Sequence, residues 1–335
     1  VDRIGGSVAA FTNLYLPKLH RAGYVAPNLA PENWIASPGG YVMNSKPGFY
    51  DNVLVLDFKS LYPSIIRSFK VDPYGLAEGD RLMDSVQSSS PNIEGSIENY
   101  DKIAFSKGFN GAFFKKEHSI LPTLIENLWQ ARDQAKKDKN QALSQAIKII
   151  MNSFYGVMGT PGCRFFDPRL PSSITLRGHQ IMLRTQALIE EKGYEVIYGD
   201  TDSIFVWLNQ KVSVTQADNI GNELASVITQ WWAEHLSKEY QLKSALELEY
   251  ETHFSRFIMP TIRGSEQGSK KRYAGLICQK GFDLGLPDSN KYELIFKGLE
   301  VVRTDWTPMA RDFQKALYQK VFLNQEYKSF ILETI

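Results

Sequence analysis

Three aspartates carry the first sign of chemistry. Asp57 closes the run Val53-Leu-Val-Leu-Asp57, and Asp200 and Asp202 flank Thr201 in Gly199-Asp-Thr-Asp202. Carboxylates gathered in one place repel one another unless positive charge sits among them. A hard divalent cation is the simplest remedy, and Mg²⁺ takes one or two carboxylates together with substrate phosphates. Two such ions roughly 3.5–4 Å apart can activate an attacking oxygen and stabilise a leaving one in phosphoryl transfer. By themselves the residues equally admit structural roles. Gly and Asp are favoured in hairpin turns, and a lone aspartate at the mouth of a helix is often a cap.

Two further groups could handle phosphate. Arg132 and Lys136 are four apart and share a helix face, as do Lys148 and Asn152. An antiparallel helical hairpin would bring three cations and an amide together, which suits a triphosphate. The alternative is a solvated pair of helices with Asp133 and Asp138 as ionic partners. Between Thr252 and Tyr273 lie Arg256, Arg263, Lys270, Lys271 and Arg272 against the single acid Glu266, with Gly264 and Gly268 among them. That segment reads as a basic hairpin tip, either a phosphate track or a solvated turn.

These groups need elements to position them. The apolar run 53–57 predicts a buried strand, and Pro63 suits the first turn of a following helix. Residues 121–156 predict two helices joined by a polar turn near 137–140, with Leu121, Leu124, Ile125 and Leu128 on one stripe and Ala142, Ala146, Ile149 and Ile150 on the other. Residues 173–192 predict a helix stopped by Gly193, and 194–208 a hairpin with Gly199–Asp202 at its turn. Residues 215–240 and 308–335 read as helical, and 245–258 as strand. Residues 1–50 are rich in Gly and Pro and predict an irregular entry segment with short strands, and 84–101 a surface loop.

The chain has 335 residues and a net charge of +1, so any nucleic-acid surface must come from local segregation of charge. Two cysteines, Cys163 and Cys278, are too few for a disulfide framework or a four-cysteine zinc site. The five histidines are scattered, and no run approaches the ~20 apolar residues that span a bilayer. The sequence opens on Val1 rather than Met and closes at Ile335 within a helical pattern, so a fragment of a longer protein is expected.

The segment Asp57-Phe58-Lys59-Ser60-Leu61-Tyr62-Pro63-Ser64-Ile65-Ile66 resembles motif A of the family B DNA polymerases. Lys148-Ile-Ile-Met-Asn152-Ser153-Phe-Tyr155-Gly156 resembles motif B, and Tyr198-Gly199-Asp200-Thr201-Asp202-Ser203 resembles motif C. The wider text, including 172–207 and Lys270-Lys271-Arg272-Tyr273, is similar to bacterial members of that family.

The resemblance implies an α+β right-hand fold. Its antiparallel palm sheet is backed by helices, its fingers are a helical hairpin, and its helical thumb is truncated. The implied divisions are an entry segment 1–50, palm 51–117, fingers 118–157, palm 158–300 and the start of a thumb at 301–335. Asp57, Asp200 and Asp202 are the implied catalytic acids. Asp57, Asp202 and the backbone carbonyl of Phe58 would ligate two Mg²⁺ ions, with Mn²⁺ as substitute, and Asp200 would support them. Glu249 would be a further acid near the site, against a plainer reading of Glu247, Glu249 and Glu251 as one solvated strand face. Ser60, Leu61, Tyr62, Arg132, Lys136, Lys148, Asn152 and Tyr155 would bind the nucleotide, with Tyr62 against its sugar. Gly39, Gly40, Lys270, Lys271, Arg272, Tyr273 and Arg303 would contact primer–template DNA.

The implied function is template-directed DNA synthesis from deoxynucleoside triphosphates, with roles in replication and repair, in the bacterial cytoplasm at the nucleoid. A sliding clamp, reached through regions outside 1–335, is an expected partner, and no membrane is. Proofreading activity and a full thumb are expected to be lacking. The competing reading is a nucleic-acid-binding fragment without catalytic activity of its own.

Overall fold

The structure, a computed structural model, describes residues 6–29, 37–89, 103–262, 264, 266–279 and 291–334. Along the chain run α1 (Gly6–Arg21), β1 (Gly48–Phe58), α2 (Leu61–Phe69), α3 (Pro73–Ser89), β2 (Phe105–Lys107), β3 (Phe113–Lys115), α4 (Ile120–Lys137), α5 (Gln141–Met158) and α6 (Arg169–Glu191). Then follow β4 (Glu195–Asp200), β5 (Ser203–Trp207), α7 (Val214–Tyr240), β6 (Leu248–Met259), β7 (Tyr273–Cys278), β8 (Tyr292–Lys297), α8 (Pro308–Phe322) and α9 (Lys328–Thr334). The protein is α+β, with antiparallel pairing in both of its described sheets. It divides into two compact units, one from Val1–Gly40, Lys59–Ile181 and Thr229–Glu247, the other from Tyr41–Phe58, Met182–Ile228 and Leu248–Ile335.

The first unit is mainly helical. In α1, Phe11, Tyr15 and Leu19 recur every four residues and are all buried. Phe11 stacks on Tyr15 (centroids 5.3 Å apart) and meets Phe154 of α5 edge-on at 5.2 Å. The Tyr15 hydroxyl donates to the fully buried Asp72 (2.5 Å), whose carboxylate also accepts the N–H groups of Ile120 (2.6 Å) and Leu121 (3.3 Å). Asp72 thus satisfies donors that the first turn of α4 leaves without intrahelical partners. Burial pushes its carboxyl up to about 6, against the pull of these hydrogen bonds. The turn from α4 to α5 is made by Lys139 at φ 56° and by Asn140, whose side chain caps α5 by accepting from Leu143 N–H (3.1 Å).

The second unit is built on a six-stranded sheet in the order β4-β5-β1-β6-β7-β8. β1 lies between β5 and β6 and is buried continuously from Val53 to Leu56, which explains its unbroken apolar run. Val53, Val55, Phe205, Phe254, Phe257 and Met259 form a core with Ile197 and Tyr198. On α7, Gly221 comes so close to Tyr250 of β6 that a β-carbon would lie 2.4 Å from its ring, and the Tyr250 hydroxyl donates to Asp218 (2.8 Å). At the β7–β8 edge, Phe322 and Leu323 at the end of α8 pack with Leu276, Cys278 and Leu299. Two irregularities shape the sheet. The β1–β6 register shifts after Val55, which pairs with Thr252 while Leu56 pairs with Tyr250, leaving Glu251 as an extra residue. The β4–β5 register shifts likewise, leaving Ile197 between Val196 and Tyr198.

Three expectations are corrected. The entry segment contains a 16-residue helix, because most of its glycines and prolines lie from Pro27 onward and the buried Phe11–Tyr15–Leu19 stripe carries the helix through Pro17. Residues 84–89, expected in a loop, belong to α3, whose polar end continues a helix begun at Pro73; 90–102 lie outside the described residues. Helix α5 buries Ile147, Met151, Phe154, Val157 and Met158, while Ala142, Ala146 and Ile149 are exposed. Of the two available stripes, the one carrying Phe154 meets α1. The helices expected over 121–156, 173–192 and 215–240, the hairpin over 194–208 and the strand within 245–258 form close to those bounds, the end of the chain is divided into α8 and α9, and β2, β3, β7 and β8 are strands that the sequence reading did not predict.

Candidate active site

The acids meet at one end of the second unit's sheet. Asp57, the penultimate residue of β1, pairs with Ser203 of β5 on one side and with Glu249 of β6 on the other. The Phe58 N–H donates to the carbonyl of Asp202 (2.9 Å), and the Ser203 hydroxyl donates to Asp57 Oδ2 (2.6 Å). Asp57 and Asp202, far apart in sequence, are thereby fixed on adjacent strand ends. Burial pushes the Asp57 carboxyl up to about 7; the Ser203 hydrogen bond opposes this, and the charges of Asp202, Glu251 and Glu249 add to it. Glu249 and Glu251 are exposed, so the solvated face expected of them lies beside the acids.

The hairpin holding Asp200 and Asp202 turns through Thr201 at φ 58°, a conformation a β-branched residue rarely takes. It is held there from outside the hairpin, because the Thr201 N–H donates to the Tyr41 carbonyl (2.7 Å) and the Met43 N–H to the Gly199 carbonyl (2.9 Å). Asp200 faces Lys271, with Nζ 3.3 Å from Oδ1.

A divalent cation fits this acid group. The raised Asp57 carboxyl shows repulsion and burial that a cation would relieve. Among the described residues no group of three or more His, Cys, Asp or Glu stands in a metal-holding arrangement. Two carboxylates with a main-chain oxygen match the sparse protein ligation of Mg²⁺, which leaves positions for phosphates and water.

The expected DNA-contacting residues of this unit divide by engagement. Lys270 and Lys271 are exposed. Arg272 is ion-paired to Glu300, which also accepts from Gln314 (3.0 Å). Arg303 pairs with Asp305. Arg256 is tied to the Phe322 carbonyl (2.8 Å), and Arg263 lies outside the described residues. Tyr273 packs among Phe205 (5.1 Å), Phe257 (5.3 Å) and Phe254 (6.3 Å), which fixes the strand next to the basic turn.

The first unit holds the remaining candidates. Tyr62 and Tyr155 are brought together, their ring centroids 4.7 Å apart. Ser60, at φ 47°, precedes α2, and Leu61 and Tyr62 form its first turn, where N–H groups favour anions. Arg132 on α4 is half-buried with Nε lacking a partner, and Lys136, Lys148 and Asn152 are exposed. No ion pair joins Asp133 or Asp138 to Arg132, Lys136 or Lys148 among the described residues, and Asp138 accepts instead from Gln134 (2.9 Å). The Gly39 carbonyl is 2.8 Å from His179 Nε2, and Gly40 follows it. Sequence reasoning missed Ser203, although it directly follows the acid pair. It also missed Tyr198, whose position in an apolar strand reads as plain core.

The profile of DNA polymerase family B matches residues 5–334. The whole chain is 58% identical to DNA polymerase II of Escherichia coli K12, of which it spans 39%. Over 91% of its length it is 30% identical to a DNA polymerase of Thermococcus gorgonarius, spanning 35% of that protein. Over 89% it is 30% identical to the mouse DNA polymerase alpha catalytic subunit, spanning 19% of that protein.

Proposed function

Because the chain belongs to DNA polymerase family B, we propose that it is a polymerase catalytic core that extends a primer on a DNA template from deoxynucleoside triphosphates. The observation that carries this reading is the pairing of Asp57 with Ser203 and of Phe58 N–H with the Asp202 carbonyl, which unites the two distant motif acids. In this reading the sheet of the second unit is the palm, the α4–α5 hairpin the fingers and α8–α9 the start of a thumb.

Asp57, Asp202 and the Phe58 carbonyl would hold two divalent ions, Mg²⁺ or in its place Mn²⁺. When bound, such ions favour the attacking primer 3′-oxygenate and the departing pyrophosphate. The protein's part is positioning and charge. Ser203 fixes the rotamer of Asp57 through its 2.6 Å hydrogen bond. Arg132, Lys136 and Lys148, with Asn152, neutralise and orient the triphosphate, and the first turn of α2 from Ser60 to Tyr62 adds N–H groups. Tyr62, held against Tyr155, sets the floor for the deoxyribose. Lys270 and Lys271 meet the primer backbone as phosphate contacts, which position without reading sequence. Gly39 and Gly40 lie along the template.

The test is primer extension with Mg²⁺ by the wild type and by the Asp57→Ala and Asp202→Ala variants. Loss of extension in both variants, with primer–template still bound, is expected. Undiminished extension by either would overturn the assignment, and binding without extension by the wild type would make the chain a binding module.

A further inference from the structure

Lys271 is exposed, yet its backbone is held from several sides. It takes φ 61°, a left-handed conformation that nothing in its own side chain favours. Its N–H donates to the hydroxyl of Tyr198 (2.9 Å). Its carbonyl oxygen faces Gly298, where a β-carbon would lie 2.2 Å away, and Gly298 itself has φ 61°. Its ammonium is 3.3 Å from Asp200 Oδ1, and Thr201 Oγ1 donates to the same oxygen (3.1 Å).

Tyr198 and Asp200 belong to the strand that leads into Asp202, whereas Lys271 belongs to the basic connection between β6 and β7. Tyr198 is only 1% exposed and packs against Phe205 at 5.4 Å. The extra residue Ile197 re-aims the strand there, so that Ile197 and Tyr198, though adjacent, enter the same core. An exposed ion pair alone contributes little. A buried phenol reaching a main-chain N–H, and a glycine whose missing side chain makes room for the carbonyl, are independent of that pair and point to the same residue.

We infer that Tyr198, Asp200 and Gly298 are positioning residues that lock Lys271, and with it the basic turn, to the hairpin that carries Asp202. Asp200 then serves this lock and not a metal ion. The ligand so positioned is the phosphodiester backbone of the strand being extended. This deepens the polymerase reading and rests on it.

Two experiments on the full chain separate the inference from that reading. The first is amide hydrogen exchange over residues 269–273 without DNA, in wild type, Tyr198→Phe, Asp200→Asn and Asp202→Asn. Faster exchange at Lys271 in the first two variants, with wild-type exchange in Asp202→Asn, is expected. Equal exchange in all four proteins overturns the lock.

The second is primer extension with primer–template and Mg²⁺ varied in turn. Asp200→Asn and Lys271→Gln should each raise KM for primer–template about two- to fivefold, and the double variant no further than the worse single one. Lys271→Arg should restore most of the loss, and the Mg²⁺ concentration for half-maximal rate should not move in Asp200→Asn. Additive losses, or a raised Mg²⁺ requirement in Asp200→Asn, overturn the role given to Asp200. If the wild type fails to extend primers, the polymerase reading falls, while the exchange data still decide whether the lock exists.

Discussion

His253 sits on β6 opposite Leu54, four strand positions from Glu249, and is 4% exposed. Its Nε2 is 3.0 Å from Asn52 Oδ1, and its Nδ1 is buried without a partner. With Oδ1 as acceptor, Nε2 carries the proton and Nδ1 is bare, so the neutral ring suits the site and an imidazolium would bury an unanswered N–H. Burial pushes the pKa down to about 4, with Asp218 pulling weakly upward. The unfolded value is about 6.5. The stability that this neutral ring contributes is therefore fully present above pH 6.5 and is lost as pH falls from 6.5 towards 4. At 1.36 kcal/mol per unit, the loss reaches about 2 kcal/mol at pH 5 and about 3 kcal/mol at pH 4. Urea unfolding of wild type and His253→Gln at several pH values isolates the effect, because glutamine does not titrate and can still donate to Asn52. Asp57 and Asp72 titrate in the same range with the opposite sign, but they are common to both proteins. The stability gap between wild type and variant should shrink by about 2 kcal/mol from pH 7.5 to pH 5. A gap that stays constant would refute the reasoning.

Asp72→Ala should destabilise the protein by about 3 kcal/mol in urea, because two buried N–H donors at the start of α4 and the Tyr15 hydroxyl lose their acceptor. An unchanged midpoint would show that water replaces the carboxylate. Tyr62→Ala should relax discrimination against ribonucleotides in primer extension, since the ring packed on Tyr155 would no longer stand at the sugar. An unchanged preference for deoxynucleotides would remove that role.

The elements that carry the acids were legible because burial on both faces leaves an unmistakable apolar run, as at Val53–Leu56, and because Gly199–Asp202 combines turn chemistry with flanking strands. The α4–α5 hairpin was legible in its helices but not in its buried side, since Ile149 and Ile150 compete with Ile147 and Met151 for the same role and only packing against α4, α1 and α2 decides. Helix α1 was hidden by reading composition across a boundary: its stripe ends before the glycine- and proline-rich stretch begins. The lock on Lys271 was illegible for a different reason. A positive φ at lysine and a β-carbon-sized gap at Gly298 are properties of the folded backbone, and no side-chain pattern announces them. Register shifts at Ile197 and Glu251 are equally silent, because a one-residue insertion leaves local hydrophobicity almost unchanged.

The extra residue at Glu251 has a consequence for how this sheet tolerates change in length. Strand side chains alternate with a period of two, so one unpaired residue reverses the phase of everything on one side of it. It is this half-step that sets Glu249, rather than Tyr250, across from Asp57, and leaves Tyr250 free to meet Asp218 on the opposite side. Deleting a single residue there would close the bulge and restore regular pairing, with Glu249 still across from Asp57 and Tyr250 still across from Leu56. The surplus residue thus lets this strand lose one position without exchanging its two faces, which a regular pairing could not do.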